Sequence, residues 1–107
     1  AALNIMGGGV LYGRNWGCEG QWPFLHFELC YYRAIEFAIA HGLSRVEAGA
    51  QGEHKIQRGY LPVLTRSTHH LRDPALRDAV AHFLVSERDA IMAEKDALET
   101  LSPYRDA

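Results

Sequence analysis

The residues best suited to chemistry crowd into one stretch, Glu47 to Tyr60, which reads EAGAQGEHKIQRGY. Glu53, His54, Lys55 and Arg58 stand there on a backbone loosened by Gly49, Gly52 and Gly59. Three glycines make the segment a poor helix and a poor strand, so the sequence predicts a charged loop over 51–60. Lys55 and Arg58 are three residues apart and would share a direction if the segment took one helical turn. Two cations beside the exposed amides of Gly49 and Gly52 suit a phosphate or a carboxylate. The competing reading is a solvated turn with ordinary surface charges. Histidine is the side chain whose ordinary titration range lies nearest physiological pH, and in this polar loop His54 is the candidate general base. Glu47, at a strand end, is a second candidate proton acceptor, or else a salt-bridge partner of Arg45 or Arg58.

Other chemistries find less support. No Walker-type glycine–lysine spacing is present, so a nucleoside triphosphate site is not expected. The pairs His69-His70 and His26/Glu28 diverge on a strand and on a helix respectively, and no HExxH or paired-cysteine motif occurs, so no metal is expected. Cys18 and Cys30 form no disulfide framework, which points to a reduced, cytoplasmic setting. With a formal charge of -2, the chain has no basic excess for DNA. No apolar run reaches the ~20 residues of a membrane span.

The elements that must position these groups follow from periodicity. ALNIM and VLYGRNWGC, joined by Gly7 to Gly9, predict a hairpin over 1–18. In its second strand Tyr12, Arg14, Trp16 and Cys18 share a face, which is either a half-buried sheet surface or part of a binding cleft. A helix is expected over 25–41, with Leu25, Leu29, Tyr32, Ile35 and Ile39 on one side and Cys30, Ala34, Phe37 and Ala38 beside them; Gly42 should stop it. A short strand over 44–50, the charged loop, and a second extended run over 61–71 with Pro62 near its start come next. Asp73-Pro74 announces a long helix over 73–101, since Asp caps and Pro suits the first turn. At ~40 Å such a helix outgrows a compact domain of this size, so its distal half should pack on another surface, a homodimer partner or further chain. The fold class is mixed α/β (α+β). The opening AALNIMGG, with no initiator Met, predicts a piece of a longer protein, inactive by itself.

The segment HFELCYYRAIEFAIAHGLSRVEAGAQGEHKIQRGYLP, with the LYGRNWGC strand before it, resembles a bacterial family of peptidoglycan biosynthesis or recognition proteins. That family is placed in the GNAT (acyl-CoA N-acyltransferase) superfamily and is related to the Fem-type aminoacyl transferases. The resemblance covers the chain to about Leu71, and GAQGEHK is its most specific part. It implies a GNAT-like C-terminal lobe that transfers an acyl or aminoacyl group to an amine, on a peptidoglycan precursor. Tyr12, Arg14 and Trp16 would then line a cleft, Gln51, Gly52, Lys55 and Arg58 would contact substrate, and Glu47 or His54 would take the proton. The GNAT pyrophosphate pattern, Arg/Gln-x-x-Gly-x-Gly/Ala, is absent, which leaves the donor open between acyl-CoA and aminoacyl-tRNA. Two alternatives stand beside the enzyme: a non-catalytic module that binds an anionic or muropeptide ligand, and an oligomerisation lobe.

Overall fold

The computed structural model describes residues 1–50 and 52–105, and Gln51 therefore lies outside the described residues. The chain divides into two compact units, Ala1–Tyr60 and Leu61–Ala107.

The first unit is built on a three-stranded sheet of order β1-β2-β3. β1 (Ala2–Gly7) and β2 (Val10–Trp16) form the expected antiparallel hairpin. Gly8 and Gly9, at φ 58° and 76°, supply the two consecutive left-handed residues that a tight hairpin turn needs. The pairing slips by one between Leu3 and Asn4, which oppose Asn15 and Gly13, so Arg14 is the extra residue of a bulge. The expected two-residue alternation of Tyr12, Arg14 and Trp16 is therefore interrupted at Arg14. β3 (Arg45–Glu47) runs parallel to β2, pairing Val10 with Arg45 and Tyr12 with Glu47. The crossover between these strands is helical, as a parallel pair requires.

That crossover is not uniform. It comprises α1 (Leu25–Phe27), a π-helical turn (Glu28–Tyr32) and α2 (Arg33–Ala40). Gly42 at φ 63° ends it, with Leu43 N–H donating to the Ala38 carbonyl and Gly42 N–H to that of Ile39. This double bond closes the helix as the glycine predicted. The buried stripe differs from the expected one: Tyr31, Ala34 and Ala38 are buried, while Tyr32 and Ile39 are exposed. Two causes combine. The π turn carries an extra residue that shifts the facing side chains, and the small Ala34 and Ala38 let the helix approach β2 and β3 closely. Val10, Leu11 and Ile56 complete the core of this unit.

The charged loop also differs from expectation, because Glu53–Arg58 winds into a 3-10 helix between Gly52 (φ 100°) and Gly59 (φ 89°). The glycines act at its two ends, and Ile56 anchors its middle in the core.

In the second unit α3 (Pro74–Glu99) begins where the sequence placed it. The Asp73 carboxylate accepts from Leu76 N–H at 2.8 Å, and Pro74 occupies the first turn. None of its residues is buried, and Leu76, Phe83, Val85, Ile91 and Met92 are all exposed. The run 61–71 is not a strand. Pro62 cannot donate to a ladder, Val63 is exposed, and no described strand pairs with the run, so extension there would bury nothing.

Candidate functional site

β2 and β3 are parallel, so their carboxyl ends point the same way: Glu47 stops opposite Tyr12, and β2 runs four residues further to Trp16. Open α/β sheets hold ligands at that end, where the chain leaves the strands in loops. Here the two segments leaving it are 17–24 and 48–58.

Tyr31 joins the chemistry of the second segment to the helix. Its ring packs edge-on against His54 and Tyr60 at centroid distances of 5.8 and 5.5 Å, and against His26 at 5.5 Å. Trp16 extends the cluster by lying 5.1 Å from His26. Phe27, one helical turn before Tyr31, stacks near it and near His54. The polar tips are matched as well: Tyr31 Oη and His54 Nε2 lie 3.0 Å apart, and the Tyr60 hydroxyl donates to the Tyr31 carbonyl at 3.2 Å. Burial pushes the Tyr31 phenol above its usual value, reinforced by Cys30 and opposed by Arg58. The group therefore stays a neutral hydroxyl that can both donate and accept. His54 Nδ1 makes no hydrogen bond among the described residues. Gly52 gives the imidazole its room: a Cβ there would lie 2.5 Å from His54 Cε1.

The cations of the turn point inward. Lys55 Nζ donates to the carbonyls of Ala48 (2.9 Å), Gly49 (3.3 Å) and Ala50 (2.9 Å), so each of its three hydrogens has an acceptor. Burial lowers the Lys55 pKa from its ordinary value. Arg58 donates to the His54 carbonyl at 2.7 Å and lies over the Phe27 ring at 3.9 Å, while its buried Nε has no partner among the described residues. These bonds close the turn on itself, and the Arg58–Phe27 contact ties it to the helix. The turn's own amides follow suit, with Lys55 N–H bonded to Gly52 O and Tyr60 N–H to Lys55 O. An anion grip by Lys55 and Arg58, as the sequence suggested, would require breaking this fastening.

The remaining expected residues spread out. Glu47 is half-buried and paired with Arg45 at 2.8 Å, which is the salt-bridge role weighed for it. Arg14 is exposed, with its guanidinium 5.9 Å from the Tyr12 ring. Of Tyr12, Arg14 and Trp16, Trp16 lines an open cleft of about 450 Å3 with Cys18, Gly20, Gln21, Trp22 and Pro23. Sequence reasoning missed His26, Phe27, Tyr31 and Tyr60. The Phe27/Tyr31 spacing of four was a signal that both share a helix face. Among the described residues no three His, Cys, Asp or Glu gather to hold a metal, and no helix is long and apolar enough to cross a membrane.

A mixed α+β lobe whose aromatic and polar groups collect at the carboxyl edge of a parallel strand pair has the layout of a ligand-handling domain. The chain belongs to the FemAB-like family, described as peptidoglycan biosynthesis/recognition, whose pattern matches residues 1–106. Comparison with curated proteins and with solved structures found no match.

Proposed function

We propose that the chain forms a GNAT-like lobe of an N-acyltransferase that moves an acyl or aminoacyl group onto an amine of a peptidoglycan precursor. The family description supplies the substrate class. The observation that carries the transfer chemistry is the 3.0 Å bond between Tyr31 Oη and His54 Nε2 at the rim of the aromatic cluster. In this reading Nε2–H donates to the neutral Tyr31 oxygen, which leaves the Nδ1 lone pair as the proton acceptor. The amine attacks the donor carbonyl, a C–N bond forms, and the C–S or C–O bond to the donor breaks. His54 takes the proton that the amine loses, and the leaving thiolate or alkoxide is protonated in turn. Tyr31 fixes the ring and stabilises the imidazolium through its oxygen. Lys55 and Arg58 act as positioning residues, since their donors hold the turn that carries His54.

The test is transfer by the intact protein onto muropeptide amines, from thioester and aminoacyl-tRNA donors. Positioned general bases contribute about 10²–10⁴-fold, so His54→Gln should lower kcat by at least ~100-fold with KM little changed. A wild-type rate in that variant would remove His54 from the mechanism. Muropeptide binding with no transfer from either donor would leave the recognition role standing and the transferase reading without support.

A further inference from the structure

The open cleft at the end of β2 plays no part in the proton transfer above, yet its construction is unusual. Trp16 and Trp22 both line it, with the Gln21 carboxamide, Pro23, Gly20 and Cys18, and none of its lining side chains carries a full charge. Trp22 is 66 % exposed, although its indole Nε1–H donates to the Glu19 carbonyl at 2.8 Å. An exposed indole that is anchored by its polar edge offers its ring face as a fixed surface. The segment also holds Phe24 at φ 64°, the one non-glycine residue in the left-handed region among those described, and leaves it 78 % exposed. A bulky side chain in that region is strained, and such strain persists where the surroundings impose it, most often at binding sites. An apolar core does not explain the strain, because Phe24 buries little.

We infer that this cleft is a sugar subsite, which seats the pyranose ring of an N-acetylated amino-sugar chain on the Trp22 and Trp16 faces. The chemistry selects that class. Phosphates and carboxylates would meet no cation among the lining side chains, and an ammonium would meet no carboxylate there. A neutral ring with one C–H-rich face suits the indoles, and its acetamido group suits the Gln21 amide. The volume of about 450 Å3 lies in the range of small-ligand sites. Trp16 also touches His26, which touches Tyr31, so the subsite adjoins the cluster that carries His54. The inference rests on the peptidoglycan reading only for the choice of polymer.

The experiment titrates the intact protein with the β-1,4-linked tetramer of N-acetylglucosamine, following tryptophan fluorescence and calorimetry. The tetramer should bind and change the emission, and Trp22→Ala should weaken it by about tenfold or more, the worth of one good aromatic contact. Trp22→Phe should restore most of the affinity. Cellotetraose, which lacks the acetamido groups, should bind more weakly, as should a sugar-free stem peptide as judged by the same emission change. Equal binding of cellotetraose, a stem peptide that alone reproduces the change, or a Trp22→Ala protein with unaltered affinity would each overturn the assignment. His54→Gln should bind the tetramer like wild type. Sugar binding without transfer therefore sinks only the transferase reading, and transfer without sugar binding sinks only this one.

Discussion

Segments 17–24 and 48–58 both leave the carboxyl ends of neighbouring parallel strands, and they treat their side chains in opposite ways. The second is rich in charge, yet Lys55 and Arg58 turn back on carbonyls and on the Phe27 ring. The first has a single charge, on Glu19, yet Trp22 and Phe24 stand in solvent. Formal charge marks where donors are, and only geometry tells whether they are free. The charged segment uses its donors to hold one histidine in place, and the aromatic one keeps its faces available.

Four substitutions probe that contrast, from the largest expected effect to the smallest. Gly52→Ala places a methyl 2.5 Å from His54 Cε1 at φ 100°, so both backbone and imidazole must move. Unfolding free energy should drop by roughly 3 kcal/mol, read by denaturant melts, with transfer activity lost as well. A small loss would mean that the turn is looser than its bonds imply. Lys55→Met removes the three bonds to residues 48 to 50, of which the one to Ala48 is part-buried, and should cost about 1–1.5 kcal/mol. If stability held and only binding of anionic ligands suffered, the cation would be a grip after all, and the contrast between the segments would dissolve.

Tyr31→Phe should cost about 1 kcal/mol for its lost hydrogen bond, and it sharpens the comparison through pH. Tyr31 and Cys30 both have raised pKa values, chiefly from burial. Below the unfolded values of 10.0 and 9.0 both contributions are complete. Above them the unfolded chain releases protons first, so stability falls as pH climbs toward the folded values. Lys55 acts in the opposite sense, because its pKa is lowered from 10.5. Wild type should thus lose the Cys30 contribution from about pH 9 and the Tyr31 contribution from about pH 10, with Lys55 opposing the decline below 10.5. Tyr31→Phe should flatten the part of that decline above its own threshold, and melts across alkaline buffers would show it. By contrast Trp22→Ala should leave stability within about 0.5 kcal/mol of wild type, since its ring buries little.

Much of the framework was legible in the sequence because it depends on local rules. Gly8 and Gly9 set the hairpin turn, Gly42 the helix stop, and Asp73-Pro74 the start of α3. The run 61–71 was misread because β-compatible residues form a strand only with a partner, which the sequence does not reveal. The site was half legible. His54 and Gly52 were singled out by type and flexibility and lie against each other, whereas Tyr31 was passed over despite its spacing of four from Phe27, because a tyrosine inside an apolar helical run reads as core. The inward turn of Lys55 was equally hidden, since three backbone carbonyls leave no trace in side-chain identity.

That ring of carbonyls around Lys55 has one more consequence. Burial by itself favours the uncharged form of Lys55, whose pKa it lowers from the ordinary value. The Ala48, Gly49 and Ala50 oxygens counter this by sequestering all three hydrogens, which keeps the nitrogen's electron pair tied up as N–H. The contacts that give the turn its shape are therefore the same ones that hold its lysine in the charged form against burial.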